Sequence, residues 1–576
     1  MKVLFLLYII ILTCSCTLTA RIYSLNQNSE ELDLNTPVSS SLLYSLTKNY
    51  FTITETITLT PSIIGDLSDF SVSPSLPTGY TLNSSTGAIS GLSNTPTLSQ
   101  TYSITAKDRS GAVISSTLTF EVANEFTVNT TGDLVDRNLN DGLCITVNDN
   151  CSLRAAIEES NNQPTGILIL VNLPAGTYGL TTQSLTITSR IILNGTDRNT
   201  TVIDANPDAT PLNLAIDILS NTTDVIIKGV SIKNALSTAG VVTGVGIKST
   251  AKNLILKDCK VSDNTATGAT SLSANGVGLY HNSTGKFEMD NCILTNNNST
   301  LSNASSNSIG GGAYISAANI NIKNSTVSNN SLSTTVGVTR AGGLFLSGPS
   351  LLENTVVSAN QSRNSGGAVQ FNDNSEIKDS TFSENRGTLN IFGAHIYSPQ
   401  NKKLIITTST FDTTAADNEE IIYASGSELI IKNSTFKADI SILIQLSSTA
   451  SAYIESTTLD TNYNSIDFRV NQGTLTIKSS VVRSGNINCT SHTNPIVSLG
   501  YNIFSDSSCT ASDPRDIMNA DPLLNGLANN GGTTMTISTM NLSPTRNLVP
   551  IIDCLTADQR GVARTGNFCD AGSFQH

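Results

Sequence analysis

At 576 residues the chain has room for roughly two to four domains, or for one long repeat. Charged residues are 13% and aromatics 5%, with no Trp, yet mean hydropathy is +0.00. That is too apolar for a disordered chain and fits a large all-β protein with many polar turns. A formal net charge of −13 and a pI near 4.8 exclude nucleic acid as a partner, because phosphates require a basic face. No HExxH, P-loop or CxxC pattern occurs, so zincin, nucleotide and zinc-finger chemistry lack support and no cofactor is expected.

The chain starts with Lys2 and an unbroken apolar run, Val3 to Leu12, too short to span a bilayer. Residues 1–16 read as a lipoprotein-type export signal. Thr13-Cys14-Ser15-Cys16 at its end resembles a loose bacterial lipobox, and either Cys14 or Cys16 is a lipidation candidate. Ordinary cleavage after Ala20 is the alternative and would leave the protein secreted. No later segment is long and apolar enough to cross a membrane as a helix. The expected location is therefore a bacterial outer membrane or cell surface, held by the N-terminal lipid. Residues 17–36 are polar and read as a linker.

Residues 37–124 alternate apolar and polar between Pro and Gly turns, as in Phe51-Thr-Ile-Thr-Glu-Thr-Ile-Thr-Leu59, Thr101-Tyr-Ser-Ile-Thr-Ala106 and Thr117-Leu-Thr-Phe-Glu-Val122. Strands with one buried face, at this length, make a small β-sandwich. The stretch Phe70 to Gly91, with its Pro77-Thr-Gly-Tyr turn and Thr86-Gly-Ala-Ile-Ser-Gly91, resembles the bacterial putative-Ig domain. The resemblance implies a spacer or binding module without catalysis. Asp108, in Ala106-Lys-Asp-Arg-Ser-Gly111, is similar to a cadherin-type calcium turn, but a single Asp is not a metal site.

From Val225 a motif recurs, as in Leu254-Ile-Leu-Lys-Asp-Cys-Lys-Val-Ser-Asp-Asn264 and Ile320-Asn-Ile-Lys-Asn-Ser-Thr-Val-Ser-Asn-Asn330. Its last apolar residue is Ile232, Val261, Leu294, Val327, Val357, Phe382, Phe411, Phe436, Leu459 and Val482, at intervals of 29, 33, 33, 30, 25, 29, 25, 23 and 23. Such a period with no helical pattern denotes a β-repeat. Five residues before this anchor the position is always apolar, from Ile227 to Ile477, and therefore points inward. Three before it stand mostly Gly, Asn or Asp (Gly229, Asp258, Asn291, Asn324), which tolerate a left-handed backbone and mark a sharp corner. Another strand precedes many copies, as in Gly310-Gly-Gly-Ala-Tyr-Ile315. Three short strands per turn with like residues stacked on like describe a right-handed parallel β-helix over residues 185–486.

Four before the anchor, facing out, the charge alternates from Lys257 through Asp290, Lys323 and Glu353 to Lys378, and again over Lys432, Glu455 and Lys478. One after it, Asp412, Lys437, Asp460 and Arg483 alternate too. These read as stabilising ladders. The eight later cysteines fall as local pairs, Cys144 with Cys151, Cys259 with Cys292, Cys489 with Cys509 and Cys554 with Cys569, and are disulfide candidates in an exported chain. Cys259 and Cys292 share one column in adjacent coils, where a bridge and a stack of free thiols are both open.

Residues 125–184 and 487–576 read as caps for the two open ends. Cys151-Ser-Leu-Arg-Ala-Ala-Ile-Glu-Glu-Ser-Asn161 is amphipathic, with Leu153, Ala156 and Ile157 on one face and Asn150 or Ser152 as its N-cap. It resembles the secreted β-helix family named for a Cys-Ser-Leu-Arg-Glu-Ala-Ile box, with Ala155 in place of Glu. Asp521-Pro-Leu-Leu524, Asn529-Asn-Gly-Gly532, Asp558-Gln-Arg-Gly-Val-Ala-Arg564 and Cys569-Asp-Ala-Gly-Ser-Phe574 resemble the choice-of-anchor Q domain. The Gly-Gly-Ala and Phe382-Ser-Glu-Asn385 elements are similar to polymorphic outer-membrane protein repeats. The resemblances imply export and a pectin-lyase-like coil more firmly than they imply an activity.

Outward acids such as Asp258, Asp263, Asp290 and Glu384 lie on neighbouring coils, but pectinase boxes are missing. His281 and His395 stand alone and read as surface or turn residues, and Arg560 and Arg564 as cap residues pairing acids. No catalytic and no metal residue is assigned. The expected function is a non-catalytic adhesin or ligand-binding rod for host matrix proteins or glycans. A polysaccharide lyase or glycosidase and a structural envelope component are the alternatives.

Overall fold

The computed structural model describes residues 40–576, except 140, 220–222, 269–272, 303–307, 335–336, 388–391, 400, 414–419, 439–441, 462–465, 486, 492–495 and 511–512. Cys14, Cys16, the export signal, the linker and His492 lie outside the described residues.

The N-terminal unit is an Ig-like sandwich. One sheet carries Ile57–Leu59, Ile89–Gly91 and Tyr80–Leu82, all antiparallel. The other carries Leu67–Ser73, Thr97–Asp108 and Val113–Thr127, with Tyr50–Thr52 alongside the last. Between them Phe51 and Phe120 meet edge to face at 5.4 Å, and Tyr102 lies 4.8 Å from Phe120. The Thr-Gly-Ala-Ile-Ser-Gly run has a packing reason. Gly87, at φ +71, sits where a Cβ would fall 2.6 Å from the Phe70 ring, so no larger residue fits.

The described residues from Ile169 to Ala520 wind as a parallel β-helix with three long sheets. Sheet I starts with Ile169–Leu173 and Ile191–Gly195 and ends with Val497–Ser498. Sheet II has 13 strands, from Gly176–Gly179 to Ile503–Phe504, and sheet III has 12, from Leu185–Ile187 to Ile487–Ser491. The rise along sheet II is about 58 Å at ~4.8 Å per strand. Coils thus begin at Ile169, ahead of the repeat's first legible copy, because the earliest turns keep the inward residues Tyr178 and Ile203 but not the flanking motif.

Register follows the anchor column without a slip: Ile232 pairs Val261, then Leu294, Val327, Val357, Phe382, Phe411, Phe436, Leu459 and Val482. No anchor is more than 3% exposed, and no residue of the column five before it more than 2%. Phe411 stacks on Phe382 at 4.9 Å and on Phe436 at 4.6 Å. The corner column is left-handed throughout, φ running from +64 at Gly229 to +45 at Asn433, and includes Thr408, Ser456 and Ser479. A slip of one residue would turn the whole inward set to water, so register overrides the local reluctance of Thr and Ser.

At the N-terminal end, helix Leu153–Asn161 adds Leu153, Ala156 and Ile157 to the main core, and Ser152 is its N-cap, accepting from the Ala155 N–H at 3.0 Å. Arg154 is buried against Asp133, with Nε and Nη2 at 2.8 and 3.1 Å from its two oxygens. At the other end residues 515–520 close the last coil through Ile517, whose N–H donates to Asn502 O at 2.8 Å. Residues 521–576 do not sit on that end. They fold back along the outside of sheet II, where Gln559, Ser573 and Gly572 hydrogen-bond Thr435, Thr458 and Ser479.

Strand Val113–Thr127 belongs to both units. Glu121 to Ala123 pair with Tyr50–Thr52 of the sandwich, and Asn124 to Thr127 pair in parallel with Ile169 to Asn172 of the first coil. Across the junction Arg190 holds the buried Glu121 through both carboxylate oxygens, at 2.5 and 2.9 Å.

Candidate functional site

The outward acids are committed to structure. Asp258, Asp263 and Asp290 each accept from the amide of an Asn one coil on: Asn291 at 2.6 Å, Asn296 at 3.1 Å and Asn324 at 2.8 Å. Glu384 faces Arg386 at 3.4 Å. The charge ladders form where alternation placed them. Glu353 lies between Lys323 and Lys378 at 3.0 and 2.9 Å, and Glu455 between Lys432 and Lys478 at 2.9 and 3.7 Å. The neighbouring ammonium groups hold the Glu353 carboxyl below its ordinary range. Lys257 departs from the expectation: it pairs with Glu288 at 3.6 Å rather than with Asp290, whose carboxylate is taken by Asn324. Asp460 is gripped by Lys437 at 3.0 Å and by Arg483 at 2.6 and 2.8 Å.

Inside the coils, two polar columns consume backbone donors that the corners leave unpaired. After the first corner, most of the Ser and Cys side chains accept the N–H of the same position one coil earlier, and they donate to the carbonyl two residues back along their own strand. Ser380 Oγ accepts from Thr355 N at 3.1 Å and donates to Lys378 O at 2.8 Å. Cys292 Sγ does the same for Cys259 N at 3.3 Å and Asp290 O at 3.2 Å. Cys259 and Cys292 are free, buried thiols acting as hydroxyl surrogates, while Cys144–Cys151, Cys489–Cys509 and Cys554–Cys569 are disulfides.

A second left-handed corner, two residues past the anchor, recurs at Asn234, Asp263, Asn296, Asn329, Ala359 and Glu384. The residue after it builds a buried amide ladder: Asn264 donates to Asn297 at 2.9 Å, Asn297 to Asn330 at 3.0 Å, Asn330 to Asn360 at 2.9 Å and Asn360 to Asn385 at 2.9 Å. His395 ends it, accepting from Asn385 at Nδ1 at 2.9 Å.

His281 and His395 are thus interior residues, not surface or turn residues. His281 Nδ1 is 3.2 Å from Ser249 Oγ, and desolvation pushes its pKa down to about 4; burial pushes His395 to about 3. Both rings are neutral at pH 7 and neither faces an opening. Asp108 closes an Asx turn on Ser110 N at 2.8 Å, Ser110 Oγ at 2.6 Å and Ala112 N at 2.9 Å, which occupies one of its carboxylate oxygens. Arg560 pairs with Asp558 at 2.7 Å, but Arg564 binds the carbonyls of Asp570 and Gly572 at 2.5 and 2.7 Å rather than an acid. Among the described residues, no group of His, Cys, Asp and Glu is arranged to hold a metal ion.

A groove runs along the leading edge of sheet I. Two adjoining hollows of about 300 and 450 Å³ share Asn374 and Lys403 and reach from Asn319 to Ser451. Coils stack at ~4.8 Å, so the five spacings crossed make it about 24 Å long. Its walls are amides, hydroxyls and the stems of Lys402 and Lys403, with Leu351 and Ile405 as apolar patches. It also holds Glu376 and Glu428. Glu376 lies two coils before Ile430, and Glu428 two residues earlier on that strand, so their Cα atoms are about 12 Å apart by strand geometry. Glu428 is moreover paired with Lys403 at 3.0 Å. The charged column and its pairing were legible from alternation; the groove was not, because it is shaped by inter-coil loops of unequal length.

Residues 31–123 match the family described as Putative Ig domain. No curated protein matches the chain. Among solved structures, the Yersinia enterocolitica Family 28 exopolygalacturonase is 12% identical, covering 76% of this chain and 94% of its own, at a TM-score of 0.23. Similarity at that level carries nothing about substrate. The fold itself is an all-β parallel β-helix preceded by an Ig-like domain.

Proposed function

We propose that the protein is an exported, lipid-held surface rod that binds a ligand without cleaving it, and that an extracellular glycan occupies the sheet I groove. One observation carries this reading: the groove spans several coils with amide, hydroxyl and ammonium walls, while Glu428, one of its two carboxylates, is tied up in an ion pair with Lys403. Sugar hydroxyls are donors and acceptors at regular intervals, the chemistry that Asn319, Asn374, Asn401 and Ser451 offer. The Ig-like unit then serves as a spacer between the membrane lipid and the rod.

The test is retention on a panel of neutral and acidic polysaccharides, with reducing ends and unsaturated products followed in the same samples. Retention without products, weakened by Lys403→Glu, supports the reading. Appearance of products assigns an enzyme instead, and no retention removes the glycan. Protease treatment of intact cells tests the location: a fully protected protein contradicts surface display.

A further inference from the structure

We infer that the outer face of sheet II, over the coils anchored by Leu294, Val327, Val357 and Phe382, is a docking strip for an extended, uncharged polypeptide segment of a partner protein. This does not rest on the groove. The residue before each anchor points outward and forms one continuous column: Ile293, Thr326, Val356, Thr381, Thr410, Thr435, Thr458, Val481. Its second half is already an interface. The chain's own residues 524–573 cover it, leaving Thr410 and Thr435 at 0% and Thr458 at 2% exposure. Thr534 Oγ1 donates to Thr408 O at 3.0 Å, Thr410 Oγ1 to Met535 O at 2.5 Å, and Thr435 Oγ1 to Gln559 Oε1 at 2.6 Å. The contact is made by backbone carbonyls, an amide and hydroxyls, with an aliphatic cluster of Val481, Leu524, Ile537 and Val549 behind it.

The first half carries the same chemistry and lacks the cover. Val356 is 40% exposed, and Ile293, Thr326 and Thr381 are half-buried. The parallel outward column, Thr295, Ser328, Ser358 and Ser383, is also uncharged. In the same coils the outer face of sheet I carries Lys and Glu in alternation, so the absence of charge belongs to this face and not to these coils. No charge on this face has to be desolvated when a neutral chain lies against it.

Size selects the occupant. Strands of three residues over four coils make a strip of roughly 200 Å², against about 800 Å² per partner for a stable interface between folded domains. A second folded copy is too large for it; one extended chain fits, as residues 533–537 and 557–559 do a few coils further on.

The experiment uses the full chain and a photo-crosslinking peptide with the sequence of Gly532–Met540, GTTMTISTM, with adducts mapped by mass spectrometry. Saturable adducts within 293–296, 326–329, 356–359 and 381–384 are expected. Thr326→Lys with Thr381→Lys should lower their yield about tenfold, the effect of unpaired charge in a contact, with unchanged circular dichroism and melting. Unsaturable labelling, adducts confined to the covered coils 408–482, or an unchanged yield in the double variant would overturn the assignment. So would displacement of the peptide by a neutral oligosaccharide at these coils, which would make the strip a glycan surface.

Discussion

Asn360, at the centre of the buried amide ladder, gives the sharpest test of how the coils are held. Its side chain accepts from Asn330 N at 3.1 Å and Asn330 Nδ2 at 2.9 Å, and donates to Val327 O at 2.8 Å and Asn385 Oδ1 at 2.9 Å. Asn360→Ala removes all of these and strands the Asn330 N–H in the interior. An orphaned buried donor costs about 1–3 kcal/mol and each lost bond about 1 kcal/mol net, so a loss of about 3–5 kcal/mol is expected. Asn264, the first rung, accepts from Ala235 N at 3.1 Å and donates to Asn297 at 2.9 Å, so Asn264→Ala should cost about 2–3 kcal/mol. Urea titration of the oxidised full chain by circular dichroism reads both. A loss below about 1 kcal/mol at Asn360, or equal losses at the two rungs, would refute the ladder as a source of stability.

Thr408 holds a left-handed φ of +49 that β-branched residues resist, so Thr408→Asn should raise stability by about 0.5–1 kcal/mol in the same titration. Arg154→Ala leaves Asp133 buried with its ion partner gone and should cost about 3–5 kcal/mol, read as a lower melting midpoint. Asp467 is fully buried, and desolvation raises its carboxyl well above the usual range. Its folded form therefore holds a proton that the unfolded chain releases near pH 4. The stability tied to that proton is complete below that pH and is lost as pH rises toward the folded value. Asp467→Asn should flatten the decline above pH 4, and a slope identical to that of the parent would contradict the assignment.

The inward columns were legible because they repeat: Ile322, Ile377 and Ile431 sit where alignment put them, each at 0% exposure. Even Thr408 and Ser479 adopt the left-handed corner that their residue types disfavour, since the register of their neighbours leaves no other path. The second corner and its ladder carried an equally regular signal, Asn at three past the anchor in Asn264, Asn297, Asn330, Asn360 and Asn385. Asn is ambiguous, however: it serves a solvated turn as readily as an interior rung, and one sequence does not separate them. His395 was misread for a related reason. It aligns with the glycines of the earlier coils, Gly312 and Gly343, where a Cβ would press on the ladder, and it takes the place of the missing next Asn. The lateral docking of 521–576 was hidden because Thr410, Thr435 and Thr458 look like ordinary outward residues until their partner, more than 100 positions away, is in place.

The strand shared by sandwich and coil, Val113–Thr127, has a mechanical consequence. Tandem surface modules are commonly joined by a swivel that lets the distal part trail in flow. Here a sideways pull on the far tip meets a lever with no pivot at this joint, so torque passes through Arg190 and Glu121 into the sandwich instead of being relieved by a swivel.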